Sequence, residues 1–128
     1  MSPRHVADAC ALIDFLLNPV GAMTPAGNAA MAGEVSVSPI TVWELTRKAS
    51  LGKLPPLPAV RGSFADYLAG KGFQPLPLTW ADADRANTLP PIHKDPMDRM
   101  LIAQALNADL AIITIDRLIE GYGVRTVW

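Results

Sequence analysis

Cysteine is almost missing from this sequence: Cys10 is the only one in 128 residues. No disulfide can close within the chain, and a zinc site built on cysteine spacing is excluded. Long apolar runs are missing too. None reaches the roughly 20 residues that cross a bilayer, and Asp14 interrupts the apolar stretch near the start, which has no cationic lead-in of the secretory kind. A soluble, cytoplasmic protein without membrane contact is therefore expected. The sequence contains no internal repeat, no low-complexity tract and no phosphate loop of the Walker type. Cys10 itself is expected as a small buried residue.

Half of the composition is hydrophobic, and this length buries enough apolar surface for one compact domain spanning residues 1–128. Charge is balanced rather than scarce, with 12 Asp and Glu against 11 Lys and Arg and a net of -1. If Asp8, Glu44, Asp95, Asp98 and Asp116 form one acidic pocket, seven acids remain against the 11 bases. The rest of the surface then carries four excess positive charges, a balance that tolerates a phosphate backbone as partner.

Short β-type runs alternate with helical patterns throughout, which predicts an α/β class with a central parallel sheet of about five strands and helices on both faces. A brief first strand covers His5 to Ala7, and a helix runs from Ala9 to about Leu17, ended by Asn18-Pro19. Thr24-Pro25 and Ser38-Pro39 are start signals, a hydroxyl cap followed by proline, for helices to about Ala32 and through Ser50. Between them Glu34 to Val37 alternates as a strand, and Gly52 closes the second of these helices. Three prolines make Lys53 to Pro58 an extended connector, after which Ala59 to Gly70 reads as helix. Phe73 to Leu78 reads as a strand near an edge because Pro75 and Pro77 cannot donate to a ladder. Thr79 to Asn87 is a helix with Asp82 at the capping-box position, stopped by Pro90-Pro91. Asp95-Pro96 opens a helix to about Leu106 that is apolar nearly all round, so it must be buried. Ala111 to Thr114 is an apolar strand, followed by Asp116, a short helix, a Gly121/Gly123 turn and a last strand at Arg125 to Val127.

Five acids draw attention by position. Asp8 and Asp116 each lie just past the C-terminal end of a strand, the edge where open parallel sheets build sites. Asp95 and Asp98 begin the buried helix that leads into the strand before Asp116, and Glu44 lies about two turns into the helix after the second strand. Carboxylates meeting in one cleft repel each other unless a multivalent cation neutralises them. Mg²⁺ or Mn²⁺ is the simplest resolution, since hard cations choose oxygen ligands and keep water sites open. Each acid also has a plainer use: Asp8 and Asp95 as helix caps, Asp98 at the positive end of its helix, Glu44 paired with Lys48, and Asp116 in a turn.

The order of the pieces goes further than any one of them. Asp8 is followed by Val42-Trp43-Glu44-Leu45 with Lys48, by Leu51-Gly52-Lys53-Leu54, and by Phe73-Gln74-Pro75-Leu76-Pro77-Leu78-Thr79. Then come Leu89-Pro90-Pro91-Ile92-His93-Lys94-Asp95-Pro96-Met97-Asp98-Arg99-Met100-Leu101-Ile102-Ala103-Gln104-Ala105 and finally Thr114-Ile115-Asp116. Over nearly the whole chain this resembles a VapC-type PIN domain, the ribonuclease toxin half of a bacterial VapBC toxin–antitoxin pair. The resemblance implies metal-binding and catalytic acids at Asp8, Glu44, Asp98 and Asp116, with Asp95 and Thr114 in support. It implies endonucleolytic RNA cleavage leaving 5′-phosphate and 3′-hydroxyl ends, with Mg²⁺ or Mn²⁺ as cofactor. It also implies a homodimer, a small VapB-like antitoxin whose tail covers the acidic cleft, and contact with DNA only through that antitoxin. The chain departs from the family pattern just after its first aspartate, where a small hydroxyl residue and often a histidine are usual and Ala9 and Cys10 stand here.

Among the basic residues, Arg47, Lys48 and Arg99 are the candidates for holding a substrate phosphate, against the plainer role of solvated or internally paired charge. His93 is expected in a structural hydrogen-bonding role rather than as a general base. Trp43 and Trp80, at helical positions, are expected in the core rather than as base-stacking platforms. Other enzyme classes with acids at strand ends fit poorly: a response-regulator receiver needs paired acids at the first strand and a late lysine, and Lys94 is the last lysine here. A haloacid-dehalogenase-like phosphatase needs an aspartate where Cys10 stands. Two further readings stay open, a PIN-like module kept only for partner binding and a PIN nuclease of RNA processing rather than a toxin.

Overall fold

The computed structural model describes residues 4–128. In chain order the elements are β1 (His5–Ala7), α1 (Ala9–Leu17), α2 (Pro25–Ala32), β2 (Val35–Val37), α3 (Pro39–Ser50), α4 (Phe64–Gly70), β3 (Gln74–Pro75), α5 (Trp80–Thr88), α6 (Pro96–Ala108), β4 (Ala111–Ile113), a 3-10 helix (Arg117–Tyr122) and β5 (Thr126–Val127). The strands form one five-stranded sheet in the order β3-β2-β1-β4-β5, with every pairing parallel, as the alternation of patterns requires.

Strand periodicity of two divides the core. Val6 and Ile112 point into a cluster with Leu101, Ile102, Ala105 and Ile119, under α6 and the 3-10 helix. Their neighbours Ala7 and Ile113 point the other way, into a cluster with Leu12, Met31, Leu45 and Phe64 from α1 to α4. Helices thus cover both faces, and α5 packs on α6. The strands are laid outward from β1 through β2 to β3, and the chain then returns to the other side of β1 for β4 and β5. That reversal opens a crevice at the C-terminal ends of β1 and β4. No helix among the described residues is long and apolar enough to cross a membrane.

Most helix starts follow the local capping chemistry. Thr24, Ser38, Thr79 and Asp95 each accept a backbone N–H of the following turn, and Thr79 and Asp82 complete a reciprocal capping box. Gly52 adopts the left-handed conformation that ends α3 (φ 73°). The start of α4 differs from the expected Ala59. Val60 and Ser63 exchange backbone hydrogen bonds of 3.0 and 2.9 Å across a tight turn whose middle residues, Arg61 and Gly62, have φ of 52° and 77°. Ser63 then caps the helix. Strand β3 is shorter than Phe73–Leu78, since the two prolines leave only Gln74–Pro75 in register, with one further bond from Leu76 N–H to Val37. Helix α6 runs two residues past Leu106 and its centre is fully buried.

Three expected core residues lie outside. Trp80 is 93% exposed and Trp43 56%. In α5 only Asp82 and Ala86 turn inward, and in α3 Thr41 and Leu45 do. A residue two positions from an inward one points to the opposite side of a helix, and both tryptophans are so placed. Cys10 is exposed as well, because the buried stripe of α1 passes through Ala11, Leu12 and Asp14.

Candidate active site

Asp8 leaves β1 directly into α1, and its Oδ1 accepts the Ala11 N–H at 2.8 Å. It is a cap, but a buried one, which caps on open surfaces are not. Burial pushes its carboxyl up to about 6, opposed by hydrogen bonds from the Thr114 hydroxyl and Ala11 and assisted by the charges of Asp98 and Glu44. Asp98 lies in the first turn of α6, capped at Asp95, whose Oδ1 accepts the Met97 N–H at 2.9 Å. Burial raises the Asp98 carboxyl too, and the neighbouring charges of Asp95, Glu44 and Asp116 act in the same sense while His93 acts against them. Glu44 reaches in from α3, largely covered, and its Oε2 is 3.2 Å from Lys48 Nζ.

The register that lets α3 face α6 is set by a buried polar tie. Ser38 Oγ, the cap of α3, accepts the Ile40 N–H and donates to Gln104 Oε1 of α6 at 2.6 Å. Gln104 Nε2 in turn donates to the Leu76 and Pro77 carbonyls beyond β3. Asp8, Glu44, Asp95 and Asp98, from three separate points of the sequence, consequently line one pocket of about 270 Å³, with Lys48 and Cys10 on its wall.

Asp116 stands beside this pocket rather than in its lining. It caps the 3-10 helix through Oδ1, which accepts the Leu118 N–H at 3.0 Å, and its own N–H donates to Thr114 Oγ1. Its Oδ2 is 2.6 Å from His93 Nε2, and the other ring nitrogen, Nδ1, is 3.7 Å from Asp98 Oδ2. The imidazole therefore lies between the two acids.

The sequence model of the PIN domain family matches residues 6–123. The chain belongs to the PIN domain family. No curated protein sequence matches it. Among solved structures, a toxin–antitoxin complex from Klebsiella pneumoniae is similar, with 18% identity, a TM-score of 0.58, and 88% of this chain and 86% of that one covered. FitAcB from Neisseria gonorrhoeae is similar at 16% identity and TM-score 0.60, covering 97% and 96%. FitAB bound to an IR36 DNA fragment gives 14% identity, TM-score 0.60, and 95% and 92%. At these identities the likeness speaks for the fold.

PIN domains are generally nucleases, and this one offers a hard, all-oxygen donor set. Among the described residues no three His, Cys, Asp or Glu side chains are drawn together closely enough to hold a metal ion as they stand. The chemistry of the donors nevertheless fits a divalent cation: Asp8, Glu44, Asp95 and Asp98 all turn carboxylate oxygens to one pocket, and hard cations choose oxygen ligands. The basic residues divide. Lys48 is engaged with Glu44 in the pocket, and Arg47 lies on the exposed Trp43 ring, 5.7 Å from its centroid. Arg99 is engaged internally. Its guanidinium donates to the carbonyls of Ala86, Leu89, Pro90 and His93 at 2.8 to 3.3 Å, the plainer of the two roles expected for it. The buried acids Asp14 and Asp82 serve local structure, Asp14 accepting the Ala22 N–H and the Asn18 amide, and Asp82 its helix start and Asn107. Residue spacing alone missed the Gln104 tie and the placement of His93, because both depend on where loops dock.

Proposed function

We propose that this PIN domain is a Mg²⁺- or Mn²⁺-dependent endoribonuclease of the VapC toxin type, restrained by a small VapB-like antitoxin. The observation that carries the reading is the gathering of Asp8, Glu44 and Asp98 from three elements into one pocket at the C-terminal edge of a parallel sheet. These three, with Asp116 at the margin, would hold the cation. When bound, it lowers the pKa of water and offsets charge on the phosphorane-like transition state of in-line attack.

The protein's own groups supply the rest. The Thr114 hydroxyl and the Ala11 N–H fix the Asp8 carboxyl at the pocket, where it would serve as a ligand. Asp95 stiffens the start of α6 beneath Asp98. Lys48, half-exposed on the pocket wall beside Glu44, is the side chain best placed to meet a scissile phosphate, and Arg47 extends that positive edge. The products are 5′-phosphate and 3′-hydroxyl ends. The similar folds are those of a toxin–antitoxin complex and of FitAB bound to DNA, which supports an antitoxin partner through which contact with DNA would run; a cytoplasmic homodimer completes the proposed reading.

Asp98→Asn keeps the side-chain shape and removes one anionic ligand. Purified Asp98→Asn should cleave RNA in Mg²⁺ slower by roughly 100-fold or more; cleavage at the parent rate would end the nuclease reading. Absence of both Mn²⁺ binding heat and cleavage in the parent protein would leave the partner-binding module in its place.

A further inference from the structure

The loop between α5 and α6 is held far more firmly than a proline-bearing connector requires. Arg99 reaches back from α6 to four of the carbonyls at the end of α5 and in the loop, and the Tyr122 hydroxyl accepts the His93 N–H at 2.6 Å from the 3-10 helix. The fit is close enough that a Cβ at Gly121 would come within 3.0 Å of Ile92 Cδ1. One side chain gains its position from all of this. The His93 ring is only 14% exposed and lies between Asp98 and Asp116.

Asp116 needs such help. It rides on a loop beyond a three-residue strand and opens a 3-10 helix, whose hydrogen-bond geometry is weaker than that of an α-helix. Leu118 N–H holds its Oδ1 and leaves Oδ2 free to swing unless a second donor holds it. His93 Nε2 is at that oxygen.

Resting on the nuclease reading above, we propose that His93 is a positioning residue, an outer hydrogen-bond donor that fixes Asp116 at a set distance from Asp98, with Arg99 and Tyr122 as the latch that places it. Donors behind a ligating carboxylate typically contribute 10- to 100-fold in metal affinity or activity. The test is calorimetric titration of Mn²⁺ into metal-free protein, together with kcat and KM for RNA. His93→Leu, which fills the space without a donor, should weaken Mn²⁺ binding by roughly 10-fold or more and lower kcat with KM for RNA unchanged. His93→Gln, whose amide nitrogen can reach the same oxygen, should restore most of both. Tyr122→Phe, which removes only the latch, should shift Mn²⁺ affinity in the same direction by less, and it carries the test if His93→Leu does not fold.

Lowered thermal stability in His93→Leu or Tyr122→Phe with parent Mn²⁺ affinity would make the histidine merely structural and overturn the proposal. Asp98→Asn separates the two failures: if it leaves Mn²⁺ binding intact, the site reading itself is wrong, whereas if it abolishes binding and the His93 variants do not affect it, only the positioning role falls.

Discussion

Burial of the Asp8 carboxyl has a consequence for stability that is separate from catalysis. With its folded pKa pushed up to about 6 from the ordinary 3.8, the folded protein holds this proton more tightly than the unfolded chain. The stabilising contribution is fully present below about 3.8, is lost as pH rises toward 6, and above that leaves a cost of about 3 kcal/mol. Asp98 shifts in the same sense, while His5, whose pKa is lowered chiefly by burial, works in the opposite one. Comparison of the parent with Asp8→Asn isolates the term. In metal-free protein, Asp8→Asn should be more stable than the parent to urea at pH 7.5 and the difference should shrink toward pH 4; equal stability at both pH values would mean that Asp8 is not the crowded, desolvated acid described above. Added Mn²⁺ should stabilise the parent at pH 7.5 and not the variant.

The elements that were legible in the sequence are those governed by local chemistry. A hydroxyl or carboxylate cap followed by proline announces a helix wherever it occurs, and α2, α3 and α6 begin where those pairs stand. Helix α4 begins later than Ala59 because Arg61 and Gly62 are drawn into left-handed backbone by the Val60–Ser63 turn. Only glycine takes that conformation without strain. Gly62→Ala should therefore cost about 1 kcal/mol in denaturant unfolding, and a neutral change would argue against the turn. The tie between α3 and α6 was not legible at all, since nothing local marks Ser38 and Gln104 as partners. Gln104→Leu strips the acceptor from the Ser38 hydroxyl and the donor from the Leu76 and Pro77 carbonyls. A loss of about 1–3 kcal/mol is expected for groups left unpaired in the interior, along with weaker Mn²⁺ binding as α3 shifts relative to α6.

At the scale of the molecule, the parallel sheet does what no segment can do alone. Asp8, Glu44 and the Asp95–Asp98 pair are far apart in sequence, and strand order 3-2-1-4-5 brings their elements to one crevice. Their positions were readable because acids at strand ends and helix starts follow fold topology, and because their order matches the PIN pattern. The role of Arg99 was not, since its guanidinium turns away from the pocket to hold the loop that carries His93. The exposed Trp43 and Trp80 likewise show that helical spacing locates a face without saying which face is covered. Crystals grown with Mn²⁺ and read at the manganese absorption edge give the most direct check on the account. An anomalous peak in contact with carboxylate oxygens of Asp8 and Asp98 is the predicted result; a peak elsewhere on the molecule, with these acids left uncoordinated, would contradict it.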